Sequence, residues 1–240
     1  MSQTSERTTT LAGEEVAYEV ASSDEATQSR IDAGINGITV VVPSATDEDP
    51  ESLLTENAAW VLEKKAKFDS FRDDVPDRSF EPGESFPYLG KDRELVVEPR
   101  QKSEVTDTTI RLRQSAVDQS SIKRALRNFY RREARTHLSD RLDHYADEMG
   151  LEYDGIEIRN QRTRWGSCST NGTISLNWRL LMAPPDVIDY VVVHELAHLH
   201  EPNHTSAFWS LVAKQVPNYE DHMEWLEENS ARLIFSEEDF

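Results

Sequence analysis

The stretch DVIDYVVVHELAHLHEPNH, residues 186 to 204, constrains the fold more tightly than any other part of the chain. Up to Val193 it is apolar on most sides, which reads as a helix buried on nearly every face. That helix then carries His194, Glu195 and His198 inward, and two imidazoles and a carboxylate are costly to bury without partners. The fold must therefore assemble a polar centre inside its core. Residues four apart lie above one another on an α-helix, so His194 and His198 can present their rings to one ion. Glu195 points about 100° around the helix and falls beside that ion rather than on it. Pro184 and Pro185 suit the entry and first turn, Asp186 suits the positive end, and the helix is expected to run to about His200.

Two histidines leave a catalytic metal site one ligand short. His200 is two residues after His198 and faces about 200° away on a helix, which excludes it without unwinding. His204 follows Glu201, Pro202 and Asn203, a loop short enough to swing a side chain back. The H-E-x-x-H-x5-H spacing equals that of the metzincin signature, with Glu201 where that signature has glycine. His204 is the favoured third ligand, and a more distant carboxylate such as Glu220 or Glu224 is the alternative. With three protein ligands and one open position, zinc lowers the pKa of water to about 7. A neighbouring carboxylate base then suits hydrolysis of a carbonyl or phosphoryl compound.

Composition narrows the options. Cys168 is the only cysteine, which excludes an intrachain disulfide and a four-thiolate zinc site and leaves histidine and carboxylate as ligands. No basic stretch leads into an apolar run, and nothing approaches the roughly 18 apolar residues of a membrane helix, so the chain reads as soluble and cytoplasmic. The net charge is -19, and only seven of the 26 basic residues are lysine, a balance that suits a protein adapted to high salt, with an ordinary acidic protein as the alternative. At about 1 M salt the Debye length is roughly 3 Å, so this charge weighs little against nucleic-acid binding.

Along the 240 residues the texture changes near position 116, which suggests a strand-rich N-terminal region, 1–115, and a second domain, 116–240. Residues 1–36 are polar, with one apolar alternation around Val16 to Val20, and read as poor core donors, and 21–37 reads as a loop. ITVVVP (38–43) is a strand closed by proline. Leu53, Ala58, Val61, Leu62 and Phe68 trace a helix over 51–72, and 93–99 and 108–114 alternate as strands do. A long helix follows between serine caps near 120 and Gly150. Between 122 and 141 it carries Lys123, Arg124, Arg127, Arg131, Arg132, Arg135 and Arg141 against Glu133 and Asp140, a basic island suited to a weak nucleic-acid contact or to acidic neighbours. A strand over 155–160 and a hairpin over 162–181 with an Asn171-Gly172 turn lead into the histidine helix. Helices over 205–215 and 219–234 end the chain. The architecture expected is α+β.

RWGSC (164–168), ISLNWRLL (174–181), VIDYVVVHELAHL (187–199), NHTSAFW (203–209) and VPNY (216–219) together resemble the YgjP-like metallopeptidase family, which is related to the SprT-like and WLM zinc peptidases. The resemblance is strongest across 120–235 and looser before it. It implies a zincin-like domain in which an active-site helix lies beside a β-hairpin. It also implies zinc (Zn2+) held at the positions of His194, His198 and His204, and Glu195 as catalytic base.

Other roles are less specific. Arg164 is a candidate substrate contact, although Trp165 and Gly166 beside it suit a packed structural corner. Asn177 and Tyr219 are candidates to stabilise an oxyanion. Trp178, Phe208, Trp209 and Trp225 read as core. The expected reaction is zinc-dependent hydrolysis of a peptide or protein. A nucleoside triphosphate pyrophosphatase, an activity also ascribed within that family, is the alternative that Arg159, Arg162, Arg164 and Arg179 would serve with phosphate contacts. A DNA-associated, SprT-like module using Arg124 to Arg135 is a further one.

Overall fold

The computed structural model describes residues 4–23, 26, 28–34, 37–44, 46, 48–161 and 164–236. Two compact units are present, Met1–Val75 and Pro76–Asp239. The division falls about forty residues before the one suggested by texture at 115/116.

The first unit is a four-stranded sheet of β1 (Thr4–Leu11), β2 (Glu14–Ser23), β3 (Arg30–Gly34) and β4 (Gly37–Pro43), in the order β1-β2-β4-β3. Ala12 and Gly13, both at positive φ, make the tight β1–β2 turn. β2 and β4 run parallel, whereas the other two pairings are antiparallel. Leu11, Val16, Tyr18 and Val20 are buried with Ile38 and Val40. The polar N-terminal stretch thus contributes half a core, and much of the loop expected over 21–37 is strand. Its polar residues conceal this because only one face of each strand is covered. Leu54 and Val61 complete the core from α1 (Pro50–Glu56) and α2 (Ala58–Asp73). The helix expected over 51–72 is broken at Asn57, which leaves helical geometry at φ -109°, ψ 20°.

The second unit begins with a sheet of β5 (Ser85–Tyr88), β6 (Lys91–Glu98), β7 (Glu104–Val105) and β8 (Thr109–Arg113), in the order β5-β6-β8-β7. Phe86, Leu95, Ile110 and Leu112 share one buried core with Leu126, Phe129, Leu138 and Leu142. The short α3 (Gln114–Asp118) leads to α4 (Ile122–Met149). This shared core is why these strands belong with the C-terminal elements. Ser121 caps α4 by accepting from the Arg124 N–H at 3.2 Å, and Gly150 closes it in the left-handed region at φ 66°. Of its basic residues, Arg141 and Arg132 are paired, with Asp189 and Glu133, and Arg124, Arg131 and Arg135 are exposed.

A three-stranded sheet follows, of β9 (Gly155–Arg159), β10 (Gly166–Cys168) and β11 (Thr173–Asn177), in the order β10-β11-β9, so β10 is an edge strand. The returning strand expected to reach 181 stops at Asn177, whose side chain accepts from the Arg179 N–H at 3.1 Å and starts a 3-10 turn over Trp178–Met182. All five residues of that turn are buried, so no strand alternation can persist there. Leu89 donates to the Leu181 carbonyl at 2.7 Å, and Gly90, at φ 72°, lies so close to Pro184 that a Cβ would come within 2.9 Å of its Cα. That contact fixes the start of α5 (Pro185–Ala197), which α6 (Ser206–Gln215) and α7 (Tyr219–Asn229) follow. No helix among the described residues is long and apolar enough to cross a membrane.

Candidate metal centre

Helix α5 is buried along Val187, Ile188 and Val191–Val193. It is tied to α4 by Asp189, which receives both Nε and Nη2 of Arg141 at 2.6 and 2.8 Å and the Tyr145 hydroxyl at 3.2 Å. The helix ends at Ala197, earlier than the expected His200. His198 occupies its cap with helical backbone at φ -66°, ψ -17°, so the four-residue stacking on His194 survives while the chain becomes free to turn. Leu199 and His200 donate to Leu196 and Ala197 in tight turns of 3.0 and 3.1 Å. Pro202 cannot continue the helix. The chain reverses and delivers His204 directly before Thr205, the cap of α6.

One ring nitrogen from each of His194, His198 and His204 lies within 4.8 Å of the others. The Nε2 atoms of His194 and His204 are 3.1 Å apart. His198 sets its tautomer through Nδ1, 3.1 Å from the Glu201 carbonyl; that oxygen can only accept, so Nδ1 carries the proton and Nε2 keeps its lone pair. Burial, then the neighbouring His198 and His204, pushes His194 down to about 3, and burial also lowers His198. His194 and His198 are thereby favoured in the neutral form, the one in which imidazole binds a metal. Three imidazole nitrogen donors fit zinc or a similar transition ion and do not fit magnesium or calcium, which demand oxygen.

Glu195 is buried, and its carboxylate lies against β10 where Gly166 has no side chain; a Cβ there would approach the carboxyl carbon to 2.7 Å. Burial pushes Glu195 up to about 8, opposed by the positive charge of Arg164. A cation among the imidazoles would favour its charged form. Gly166, Glu195 and the three histidines line one cleft of about 760 Å³ with Arg164 and Glu152. Trp165 C=O and Ser169 N–H turn toward β11, so by the alternation of an antiparallel ladder Gly166 and Cys168 direct their backbone groups to the open edge.

The remaining sequence candidates are placed differently. Arg164 is exposed on the cleft. Asn177 is fully buried and donates to the carbonyls of Gln161 and Arg164 at 2.8 and 3.3 Å. Tyr219 stacks on Trp209 at 5.0 Å and directs its hydroxyl to Glu220 at 3.4 Å. His200 is exposed, and neither it nor Glu220 or Glu224 joins the histidine cluster. Arg159 pairs with Glu157, Arg179 is buried and donates to the Gln161 carbonyl at 2.7 Å, and Arg162 lies outside the described residues. Sequence reasoning took Phe208 for plain core. Its ring in fact touches all three imidazoles, at centroid distances of 4.9, 4.6 and 4.8 Å. Its place four residues after His204, on the first turn of the next helix, was the available signal.

A family model described as YgjP-like, metallopeptidase domain matches residues 27–229. The chain belongs to this family. It is accordingly a metal-dependent peptidase, and the match extends through both compact units instead of stopping at the C-terminal half. Among solved structures, the crystal structure of the metallopeptidase zymogen of Pyrococcus abyssi abylysin is similar at 26% identity, over 40% of this chain and 99% of that chain, with a TM-score of 0.34. A search of curated proteins finds no match.

Proposed function

We propose that this protein is a zinc-dependent metallopeptidase in which His194, His198 and His204 hold the ion and Glu195 is the base. The observation that carries this reading is the convergence of three imidazole nitrogens within 4.8 Å beside one buried carboxylate. When bound, zinc supplies Lewis-acid chemistry: it acidifies water and polarises a carbonyl. Glu195 takes a proton from water at its carboxylate and returns it to the departing amide nitrogen. Gly166 leaves room for that carboxylate, and the open edge of β10 offers backbone donors and acceptors to an extended peptide. A nucleotide would instead want several free cations, whereas Arg159 and Arg179 are already engaged within the protein.

Glu195→Gln tests the assignment. It should bind zinc as the parent does while cleavage across a peptide library falls by about 100-fold to 10,000-fold. Unchanged cleavage would remove Glu195 from the mechanism. Pyrophosphate release from nucleoside triphosphates without peptide cleavage would replace the peptidase reading by the phosphoryl one.

A further inference from the structure

His204 stands apart from the other two histidines in how it is held. His194 and His198 inherit their places from α5, but His204 lies in an exposed loop. Among the described residues its ring has no hydrogen-bonding partner except the facing Nε2 of His194. What orients it is the start of α6. Thr205 is the helix cap, its hydroxyl accepting from the Phe208 N–H at 3.4 Å. His204 therefore occupies the position just before the cap, and Trp209 the fourth position of the helix. Those are the two places where an apolar pair commonly clamps the chain entering a helix. Here an imidazole takes the first place. It stacks on the Trp209 indole at a centroid distance of 5.6 Å and 23° between planes, and Tyr219 backs the indole at 5.0 Å and 16°. His204, Trp209 and Tyr219 form one column of rings.

We propose that Trp209 is a positioning residue for the metal centre: by clamping His204 at the entry to α6, it holds the third imidazole in register with the two on α5. The inference rests on the reading of His204 as a ligand. A loop histidine without this clamp would have to be ordered by the ion itself, and the entropy of ordering it would weaken binding. The column also accounts for the motif NHTSAFW, in which His204 supplies the donor, Thr205 the cap, Phe208 the floor beneath three rings and Trp209 the clamp.

The test is zinc affinity of the full chain, measured by competition with a chromophoric chelator, alongside circular dichroism and thermal melting of the metal-free protein. Trp209→Leu should lower affinity on the order of 10-fold, as loss of groups that orient metal ligands does. Trp209→Phe, which keeps a flat face, should recover most of it. His204→Ala should lose more than either. If Trp209→Leu folds and binds zinc as tightly as the parent while His204→Ala is weakened, the clamp is refuted and the ligand assignment stands. If His204→Ala also binds as tightly, the ligand assignment itself fails. Should Trp209→Leu not fold, Thr205→Ala, at an exposed position, loosens the same turn and should weaken zinc several-fold; unchanged affinity there overturns the proposal.

Discussion

Gly166 packs its bare backbone against the carboxylate of Glu195, so the edge of β10 and that carboxylate occupy adjoining space with no side chain between them. Alanine at 166 must displace the carboxylate, and misplacement by about 1 Å can reduce turnover on the order of 100-fold. Gly166→Ala should therefore keep its zinc and its melting temperature nearly intact while peptide cleavage collapses. Parent-like turnover would mean that Glu195 moves without consequence.

Zinc bound by the folded centre alone stabilises it by mass action, about 2.7 kcal/mol at a hundredfold excess over Kd. For a chain of this size that is roughly 5 to 10 °C in melting temperature. A chelator should produce that drop, and zinc should reverse it. Calcium and magnesium should not, because the three donors are nitrogens. A rise with calcium would contradict the imidazole site.

Asp189 joins α5 to α4 by accepting two hydrogen bonds from Arg141, with side-chain exposures of 16% and 29%. The pair lies between the surface and buried limits, so Asp189→Asn should reduce stability by about 1 to 3 kcal/mol in urea titration. Zinc affinity should fall much less, since the register of His194 and His198 is internal to one helix. Equal losses in both would show that the helix shifts as a body.

His137 on α4 has its pKa lowered, first by burial and then by the charge of Arg141, with Asp189 and Asp140 pulling the other way. The unfolded chain, near 6.5, takes up a proton before the folded one does. Stability from this residue is thus complete above pH 6.5 and declines as the pH falls from there toward the lower native value. His137→Gln should flatten that part of the urea midpoint against pH. An identical slope in parent and variant would assign the acid sensitivity elsewhere.

The spacing of His194, Glu195 and His198 was legible because helix geometry fixes it locally, and Pro202 told where the chain had to turn. The edges of the site were harder to read. Gly166 passes for a turn residue until the helix it faces is known, and the stacking of Tyr219 on Trp209 has no local signature in the sequence. In the fold, β4 announced itself by its β-branched run. β1 and β2 did not, because β1 is rich in Ser and Thr with Leu11 as its one apolar residue, and Val16, Tyr18 and Val20 of β2 gain their burial beside Ile38 and Val40 of β4. The boundary at 115/116 followed a change in composition. Core sharing between β6, β8 and α4 is a long-range matter that composition does not record.

The order β1-β2-β4-β3 sets a limit on trimming this protein. The family match begins at residue 27, after β2, yet β2 is the parallel neighbour of β4 and supplies Val16, Tyr18 and Val20 to its core. A chain cut at that point would keep every residue of the metal centre and still leave Ile38 and Val40 on a bare, sticky edge prone to pairing with other molecules. The safe place to shorten the protein lies before β1, and poor solubility of a version beginning at residue 27 would reflect a missing strand rather than a failed active site.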